Sequence, residues 1–484
     1  MECAKKLTRR AFLQASALAF ASALAGCAPP TAEVVRETVV VKETVPVKET
    51  VVIKEGSIPV GQGAWAYDPN RPVNDGKPIT IKLWSGLDTW RNWFDKWIPA
   101  YRTIHPNVKF DHTFTPWAEH IKKVAMAIPS GQGPDIYSFH NTFTTSFVEG
   151  GLIEPYPDEW IPLLRQDYDN IDARLVKGKL YYFDLGLMIA AMWYNKKYWA
   201  EAGLKEGEYP KTWAEFTEVA KRLTTKDASG RITRVGLALK GYQWDIWQQA
   251  SYQTGHWFLS PDGKHAYIDT EEGRKCFQMI DDWYHKDQIT SPEFPPPREA
   301  FGTGQAAMMH AWGWVKGVLD SQYPDIEWGV FRLPTWTGDL KPCVGIHNGD
   351  CSPGVNPKSS TEAKAVAFDF LHWLLSNEDA AVEACLFTQQ GAVMKRIKDR
   401  PELLQNPMIN VTLQVLDRTL WVGNVPQRMD ELMAKYINDA IENGVPMAQA
   451  LPALQKELDA DIARQPSEYW TVERLYKYAA DMHD

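Results

Sequence analysis

The residues of this chain that could do chemistry are aromatic and polar groups in short runs, without one dense motif. Twenty-one tryptophans in 484 residues supply a large area of flat ring, apolar on its faces and with one N–H donor at its edge. Trp244 and Trp247 lie three residues apart, Trp312 and Trp314 flank Gly313, and Trp84 closes an alternating stretch. Strand alternation through Gly313 predicts Trp312 and Trp314 on one face. The polar candidates are His140 and Asn141 behind Phe139, Asp184 with no basic residue immediately beside it, Arg428, and the group His347, Asn348 and Asp350 in the loop 345–354. Carboxylates, amides and imidazoles can accept or donate paired hydrogen bonds. Each candidate also has a structural alternative: a core ring, a surface ion pair or a plain turn. Cys343 and Cys351, eight apart, are spaced to bridge outside the cytoplasm, and Cys276 and Cys385 read as buried thiols or a second pair. No His/Cys spacing reads as a zinc site, and nothing matches the Walker pattern for phosphates. Neither a metal nor a cofactor is expected.

Composition narrows the class. At 484 residues, two or three domains are expected. The chain is 44% hydrophobic and 23% charged, so it can bury a core. A net charge of -9 argues against a partner with a phosphate backbone, which needs a basic face. Mean hydropathy of -0.37 excludes a polytopic membrane protein. Six cysteines do not make a disulfide scaffold.

The first 26 residues read as an address. Lys5, Lys6, Arg9 and Arg10 precede an apolar run that is too short to span about 30 Å of hydrocarbon. The paired arginines before Phe12-Leu13 resemble a twin-arginine export signal. Leu24-Ala25-Gly26-Cys27 resembles a lipobox, which implies lipidation of Cys27 as the mature N-terminus. Cleavage there removes four basic residues and one acidic one, taking the net charge from -9 to -12. Such an acidic body is not expected to lie flat on an anionic membrane. Residues 27–76 read as a lipidated N-terminus and spacer. Within them, 34–55 repeat Val-Val-Lys-Glu-Thr-Val-like units of period six, which matches no coiled coil and favours extended backbone.

Beyond the spacer, strands and helices alternate. Residues 79–84 alternate as a first strand. From Asp88, Trp90, Trp93, Phe94, Trp97, Ile98 and Tyr101 fall on one helical stripe, which marks them as core. Strands are expected at 108–114 and 135–139, with helices at 117–128 and 142–149. Thr212-Trp213-Ala214-Glu215 is a capping box. A strand is expected after Gly304-Gln305, another at 328–333, and helices at 361–375 and over much of the chain after 410. Such alternation implies a largely parallel sheet, with ligands at the carboxyl ends of its strands.

Several landmarks, in order, resemble the family 1 extracellular solute-binding proteins, the maltodextrin-type sugar receptors of ABC importers. They are Gly133-Pro134-Asp135-Ile136, Gly151-Leu152-Ile153, Gly178-Lys179-Leu180-Tyr181, Trp193-Tyr194-Asn195-Lys196, Pro210-Lys211-Thr212-Trp213, Gly304-Gln305-Ala306-Ala307-Met308 and Gly423-Asn424-Val425-Pro426-Gln427. The resemblance covers residues 79 to about 460. It implies an α/β, two-lobe periplasmic-binding-protein-like fold of type II, with a hinge of two or three crossing segments. Lobe one would hold 77–185 plus 334–391, and lobe two 186–333 plus 392–484.

A sugar ring has two apolar CH faces and a girdle of hydroxyls, which aromatic plates and paired polar groups match. The resemblance implies a ligand-binding set of Trp84, Phe139, His140, Asn141, Asp184, Trp244, Trp247, Trp312, Trp314, Asn348, Asp350 and Arg428, and no catalytic residue. Arg428 stands where the family often carries an apolar residue, which leaves the substrate class open. The implied protein is an extracytoplasmic lipoprotein, anchored by Cys27 to the outer face of the cytoplasmic membrane. It would be a monomer without a nucleic-acid partner, binding a sugar or oligosaccharide and delivering it to the transmembrane subunits of a permease. Two other classes stay open. One is a ligand-presenting sensor lobe. The other is a secreted carbohydrate-active enzyme, which needs two carboxylates about 5–9 Å apart.

Overall fold

The alternating apolar stretches form the strands they predict. The computed structural model describes residues 65–465 except 169, 170, 261, 350, 351, 422–424 and 427. The expected leader, Cys27 and the period-six repeat lie outside the described residues. Strands β1 (Ile79–Ser85) and β2 (Val108–Phe114) pair in parallel along their whole length, Ile79 opposite Val108 and Ser85 opposite Phe114. Strand β3 (Ile136–Phe139) joins the other edge of β1, also in parallel. The helix Asp88–Ile104 makes the crossover between β1 and β2 and buries the whole predicted stripe from Trp90 to Tyr101. Its rings pack on the helix Thr361–Ser376, with Tyr101 5.0 Å from Phe370 and Trp97 6.1 Å from Trp373. Burying each ring is worth about 1.5–3 kcal/mol, which holds the helix against the sheet.

Strands β4 (Leu175–Val176) and β5 (Lys179–Leu180) form a small hairpin. Strand β6 (Gly186–Asn195) follows, buried at all ten positions. Around it stand β7 (Thr225–Lys226), β8 (Ile232–Ala238), β9 (Ala306–Trp312), β10 (Trp328–Arg332), β11 (Gly345–Asn348), β13 (Gly391–Ala392) and β14 (Thr419–Leu420). β9 lines one edge of β6. The other edge is shared in turn by β13 at Gly186 and Leu187, β11 at Met188 and Ile189, and β10 from Ala191 to Asn195. Strand β12 (Ser352–Val355) leaves this sheet altogether and pairs antiparallel with β3. The first sheet therefore runs β12-β3-β1-β2. The capping box forms as expected: Thr212 Oγ1 accepts from the Glu215 N–H, and Glu215 accepts from the Thr212 N–H. The expected helix from Thr142 is a tight turn at Asn141–Phe143 followed by the helix Thr144–Glu149.

Two large apolar cores accompany the two sheets, and the chain passes between them three times. Leu185 and Leu187 belong to the first core and Ile189 to Tyr194 to the second, so β6 is one crossing. β11, with Ile346 in the second core, and β12, in the first sheet, stand on either side of another. The helix Pro407–Val415 is the third: Met408 and Val415 face the second core and Ile409 the first. Three expected boundaries move. Residues 334–346 pack with the second core, because Cys343, Val344 and Ile346 are buried there, so that crossing falls near 349 rather than 334. Val393, Met394, Ile397 and Leu403 stay with the first core beyond the expected limit at 391. The body also starts before 77, since Trp65, Tyr67 and Val73 are buried in the first core. The expected Cys343–Cys351 bridge involves a residue outside those described. Cys343 is a free buried thiol, and burial pushes its pKa up to about 12. Cys351 lies outside the described residues. Among the described residues no helix is long and apolar enough to cross a membrane.

The early segment is held by one buried carboxylate. Asp369 Oδ2 accepts from Tyr67 and Tyr101 hydroxyls, each at 2.7 Å, and its Oδ1 accepts from Arg71 Nη2 at 2.6 Å. Tyr67 also lies 2.6 Å from His105 Nε2. Asp369→Ala strands the Tyr67 and Tyr101 hydroxyls in the core and releases the exposed Arg71, and is expected to cost about 2–4 kcal/mol in urea unfolding, with Asp369→Asn costing less. A loss below about 1 kcal/mol for Asp369→Ala would show that the segment is held by its rings alone.

Candidate functional site: the cleft between the lobes

Parallel strands leave their carboxyl ends open, and the first lobe presents its rings there. Trp84, near the end of β1, is half-buried, with the Lys123 ammonium 4.6 Å above its ring. Lys123 also donates to Thr115 Oγ1 at 3.2 Å. Trp117, half-buried, opens the helix Trp117–Ala127 and stacks on the His120 imidazole at 5.7 Å. His120 is fixed in turn by donating Nε2–H to the Ser138 carbonyl at 2.9 Å. Phe143 lies 6.5 Å from Trp117. These half-buried rings rest on a small core that contains Phe139, Phe147, Tyr182 and Trp421.

The crossing at β11 meets the loop after β3. Asn141 Nδ2 donates to Asn348 Oδ1 at 3.3 Å, and His140 Nε2 lies 3.4 Å from Asn348 Nδ2. His140 Nδ1 accepts from the Thr142 N–H at 3.3 Å. Next along the chain, Gly349 has no room for a side chain: a Cβ there would stand 1.8 Å from Asp184 Oδ1. Asp184 Oδ2 takes two hydrogen bonds from Arg174, from Nε at 2.9 Å and Nη2 at 2.7 Å. The same guanidinium lies 4.0 Å above the Trp421 ring. His347 places Nδ1 2.8 Å from Thr419 Oγ1. Three buried polar atoms here have no partner among the described residues: Asn141 Oδ1, Arg174 Nη1 and His347 Nε2. Burial holds both histidines neutral. His140 falls to about 4, against the opposing pull of Asp184, and His347 to about 3, helped by the Arg174 charge.

The second lobe presents Trp312 at the end of β9, half-buried, with Nε1 donating to Asp245 Oδ2 at 2.8 Å. Asp245 is buried in the helix Gln243–Tyr252 and also receives His310 Nε2 at 3.1 Å and Gln249 Nε2 at 3.2 Å. Burial alone would raise the Asp245 pKa, but the His310 charge and these donors together keep it below the usual carboxylate range. Asp430, on the helix Met429–Met433, has no such donors. Burial and the Asp245 charge raise it to about 6. Trp244 is half-buried, its backbone N–H bonded to Asn438 Oδ1 at 3.0 Å.

Of the expected ligand-binding residues, the structure joins His140 and Asn141 to Asn348, sets Asp184 against Gly349, and leaves Trp84 and Trp312 half-buried at the ends of β1 and β9. It corrects four of the expected ligand contacts. Phe139 is fully buried against Phe147 and Tyr182. Trp247 is fully buried as well, stacked on Phe258 at 4.6 Å with Nε1 donating to the Gly273 carbonyl. Arg428 is exposed and spent on Glu431 and Asp461, at 3.2 and 3.9 Å. Trp314 does not share a strand face with Trp312, because β9 ends at Trp312 and Trp314 sits in the turn before the helix Val315–Gln322, beneath Arg298 at 5.3 Å. Asp350 lies outside the described residues. Asp184 does have a basic partner, but Arg174 reaches it from ten residues away. Trp117, Phe143, Arg174, Asp245 and Asp430 gave no sequence signal: each owes its place to a partner distant in the chain. Among the described residues, no group of three or more His, Cys, Asp or Glu is placed to hold a metal ion.

Titration should report this asymmetry. The two histidines bind protons only in the unfolded chain between pH 6.5 and about 4, so they lower stability as pH falls through that window. Asp430 acts oppositely: its folded carboxyl takes a proton near pH 6, and the unfolded one only near 3.9. Asp430→Asn is expected to raise stability by about 1–2 kcal/mol at pH 7 and to leave it unchanged at pH 4, read from melting curves. Equal gains at both pH values would contradict the raised pKa.

Residues 88–381 match the family model described as bacterial extracellular solute-binding protein. A putative binding protein of Brucella abortus is 23% identical over 262 residues, 52% of this chain and 62% of that protein, so the match spans about three fifths of that relative. The maltotriose-binding protein of Pyrococcus abyssi is 24% identical over 323 residues, 65% of this chain and 66% of its own length. Among solved structures, the cyclic alpha-maltosyl-1,6-maltose binding protein of Arthrobacter globiformis superposes with a TM-score of 0.66 at 19% identity, covering 80% of this chain and all of that one. With two cores joined by three crossings and a family match over more than half its length, the chain belongs to the bacterial extracellular solute-binding proteins.

Proposed function

We propose that this chain is the substrate-binding component of an ABC importer, taking a sugar or oligosaccharide between its lobes and passing it unchanged to permease transmembrane subunits. The observation that supports the proposal is that each lobe keeps rings half-buried, Trp84 and Trp117 on one and Trp312 and Trp244 on the other, while polar atoms at a crossing stay unbonded among the described residues. Flat apolar faces beside unpaired donors and acceptors suit a pyranose. The relatives named for maltotriose and for a cyclic maltose dimer support the carbohydrate class. A cytoplasmic-membrane anchor through Cys27, ahead of an extended spacer, completes the proposed arrangement and leaves the lobes outside the cell. The chain would act as a monomer. Lobe one is proposed as about 65–185 plus 352–405, and lobe two as the remainder.

A hydrolase would draw on Asp430, whose raised pKa is that of a general acid. Its neighbour Asp245 argues against this, because both of its oxygens are already engaged by His310, Trp312 and Gln249. We infer that Asp245 is a positioning residue for the Trp312 plate. A sensor lobe that presents the closed, loaded form to a signalling receptor would use the same cleft.

Thermal shift with mono-, di- and trisaccharides of the maltose and chitobiose series tests the reading. A ligand at a hundredfold excess over Kd is expected to stabilise by about 2.7 kcal/mol. Trp312→Ala should abolish that shift with little change in the apo melting point. Trp247→Ala should instead lower apo stability by about 3–5 kcal/mol, as for a core ring. No shift with any saccharide, or release of shorter sugars on incubation, would overturn the proposal.

A further inference from the structure

Strand β10 is paired along one edge only among the described residues. The helix Pro407–Val415 lies beside its other edge, and a cavity of about 410 Å3 is lined by both. That volume falls in the range of small-molecule sites, about 300–1,000 Å3. None of the cleft residues lines it. It sits toward the Asn195 end of β6, against the crossing helix Pro407–Val415, whereas Asn348 and the β11 crossing lie at the Gly186 end.

The floor of this cavity is aromatic. Tyr209 stacks on Phe331 with centroids 5.0 Å apart and planes 8° from parallel. On the opposite face of β10, at the cavity's other side, Trp328 leans on Trp193 at 4.7 Å. Phe331 is buried, but Tyr209 and Trp328 are only half-buried and keep ring surface open.

The rim is cationic, on a chain whose net charge is -9. Its one carboxylate, Glu206, is already held by Lys196 at 2.7 Å. Lys211, exposed, makes no ion pair with any described residue. Arg332 is half-buried and donates Nη1 to the Leu333 carbonyl at 2.7 Å and Nη2 to the Gly338 carbonyl at 3.1 Å. A guanidinium has five N–H donors, so three are left. Burial lowers the Arg332 pKa with no acidic neighbour to offset it. A partly desolvated cation without a counter-ion is unfavourable, and an anion would relieve it.

We propose that the cavity between β10 and the helix Pro407–Val415 is a second ligand site, for a small organic acid bearing a flat ring. The ring lies against Tyr209, and the carboxylate meets Arg332 and Lys211. The site is independent of the cleft and of its cargo.

Calorimetric titration of the full chain with 4-hydroxybenzoate, its methyl ester and inorganic phosphate tests this. The acid is expected to bind, and both the neutral ester and the ringless anion to bind at least about tenfold more weakly. Lys211→Gln and Arg332→Gln should each weaken the acid about tenfold. Because Arg332 also ties down Leu333 and Gly338, Lys211→Gln alone decides if Arg332→Gln does not fold. The proposal is overturned if the acid gives no heat at about 10 mM, if ester or phosphate equals the acid, or if Lys211→Gln binds the acid like the wild type.

Discussion

The buried ion pair of Arg174 and Asp184 registers the segments that meet where the chain changes lobes. Asp184 stands two residues before β6, the longest crossing, and its two bonds from Arg174 replace the water it loses on burial. The guanidinium is covered on its face by Trp421, which follows β14. On the carboxylate's other side the backbone of the β11–β12 crossing passes so close that only Gly349 fits. Three segments distant in sequence are thus registered by one carboxylate. Removing either partner of such a pair leaves an uncompensated buried charge, whereas the intact pair contributes little net stability. Its value here is positional: it fixes these segments against one another at the start of β6.

The same economy governs the aromatic residues. An abundance of tryptophan suggests a surface full of binding plates, yet the helix Asp88–Ile104 alone buries three of them, and Trp193, Trp247, Trp283 and Trp373 are sealed in the cores. The rings left at the cleft are distinguished by what holds them. Trp312 is fixed through its N–H by Asp245, and Trp117 by a stacked histidine that is itself bonded to Ser138. A plate that cannot turn loses less entropy on binding, which is how a few rings can outweigh many mobile ones.

Strands, crossover helices and the capping box were legible because they are local. The stripe from Trp90 to Tyr101 names its own buried face, and Thr212 with Glu215 announces a helix start. The site was legible only in part. Trp84, Asn141 and Asn348 sit where strands end, a position that pattern can find. Phe139 and Trp247 share the same chemistry and nearly the same positions, but lie one pleat or one helical turn to the buried side. No spacing rule separates these cases, because exposure depends on what packs over them, and for Trp247 that is Phe258, supplied by a later loop. Arg174 shows the converse: ten residues from Asp184, across the β4–β5 hairpin, it is invisible to any search for neighbouring charges.

Where the chain enters the body decides which lobe is free to move. Trp65, Tyr67 and Arg71 are bound into the first core through Asp369, so whatever precedes residue 65 is attached to the first lobe. Three crossings then carry the second lobe, and none of them is a bulky interface. On the proposed reading, a ligand touching Trp84 on one side and Trp312 on the other gains contacts only when the lobes approach. It can shift the balance between open and closed forms by no more than that difference. Moving such an equilibrium from one part in a hundred to ninety-nine needs about 5.5 kcal/mol of differential contact. One stacked ring falls short of that sum, and rings on both walls together with the unpaired atoms of Asn141, Arg174 and His347 are of the right order.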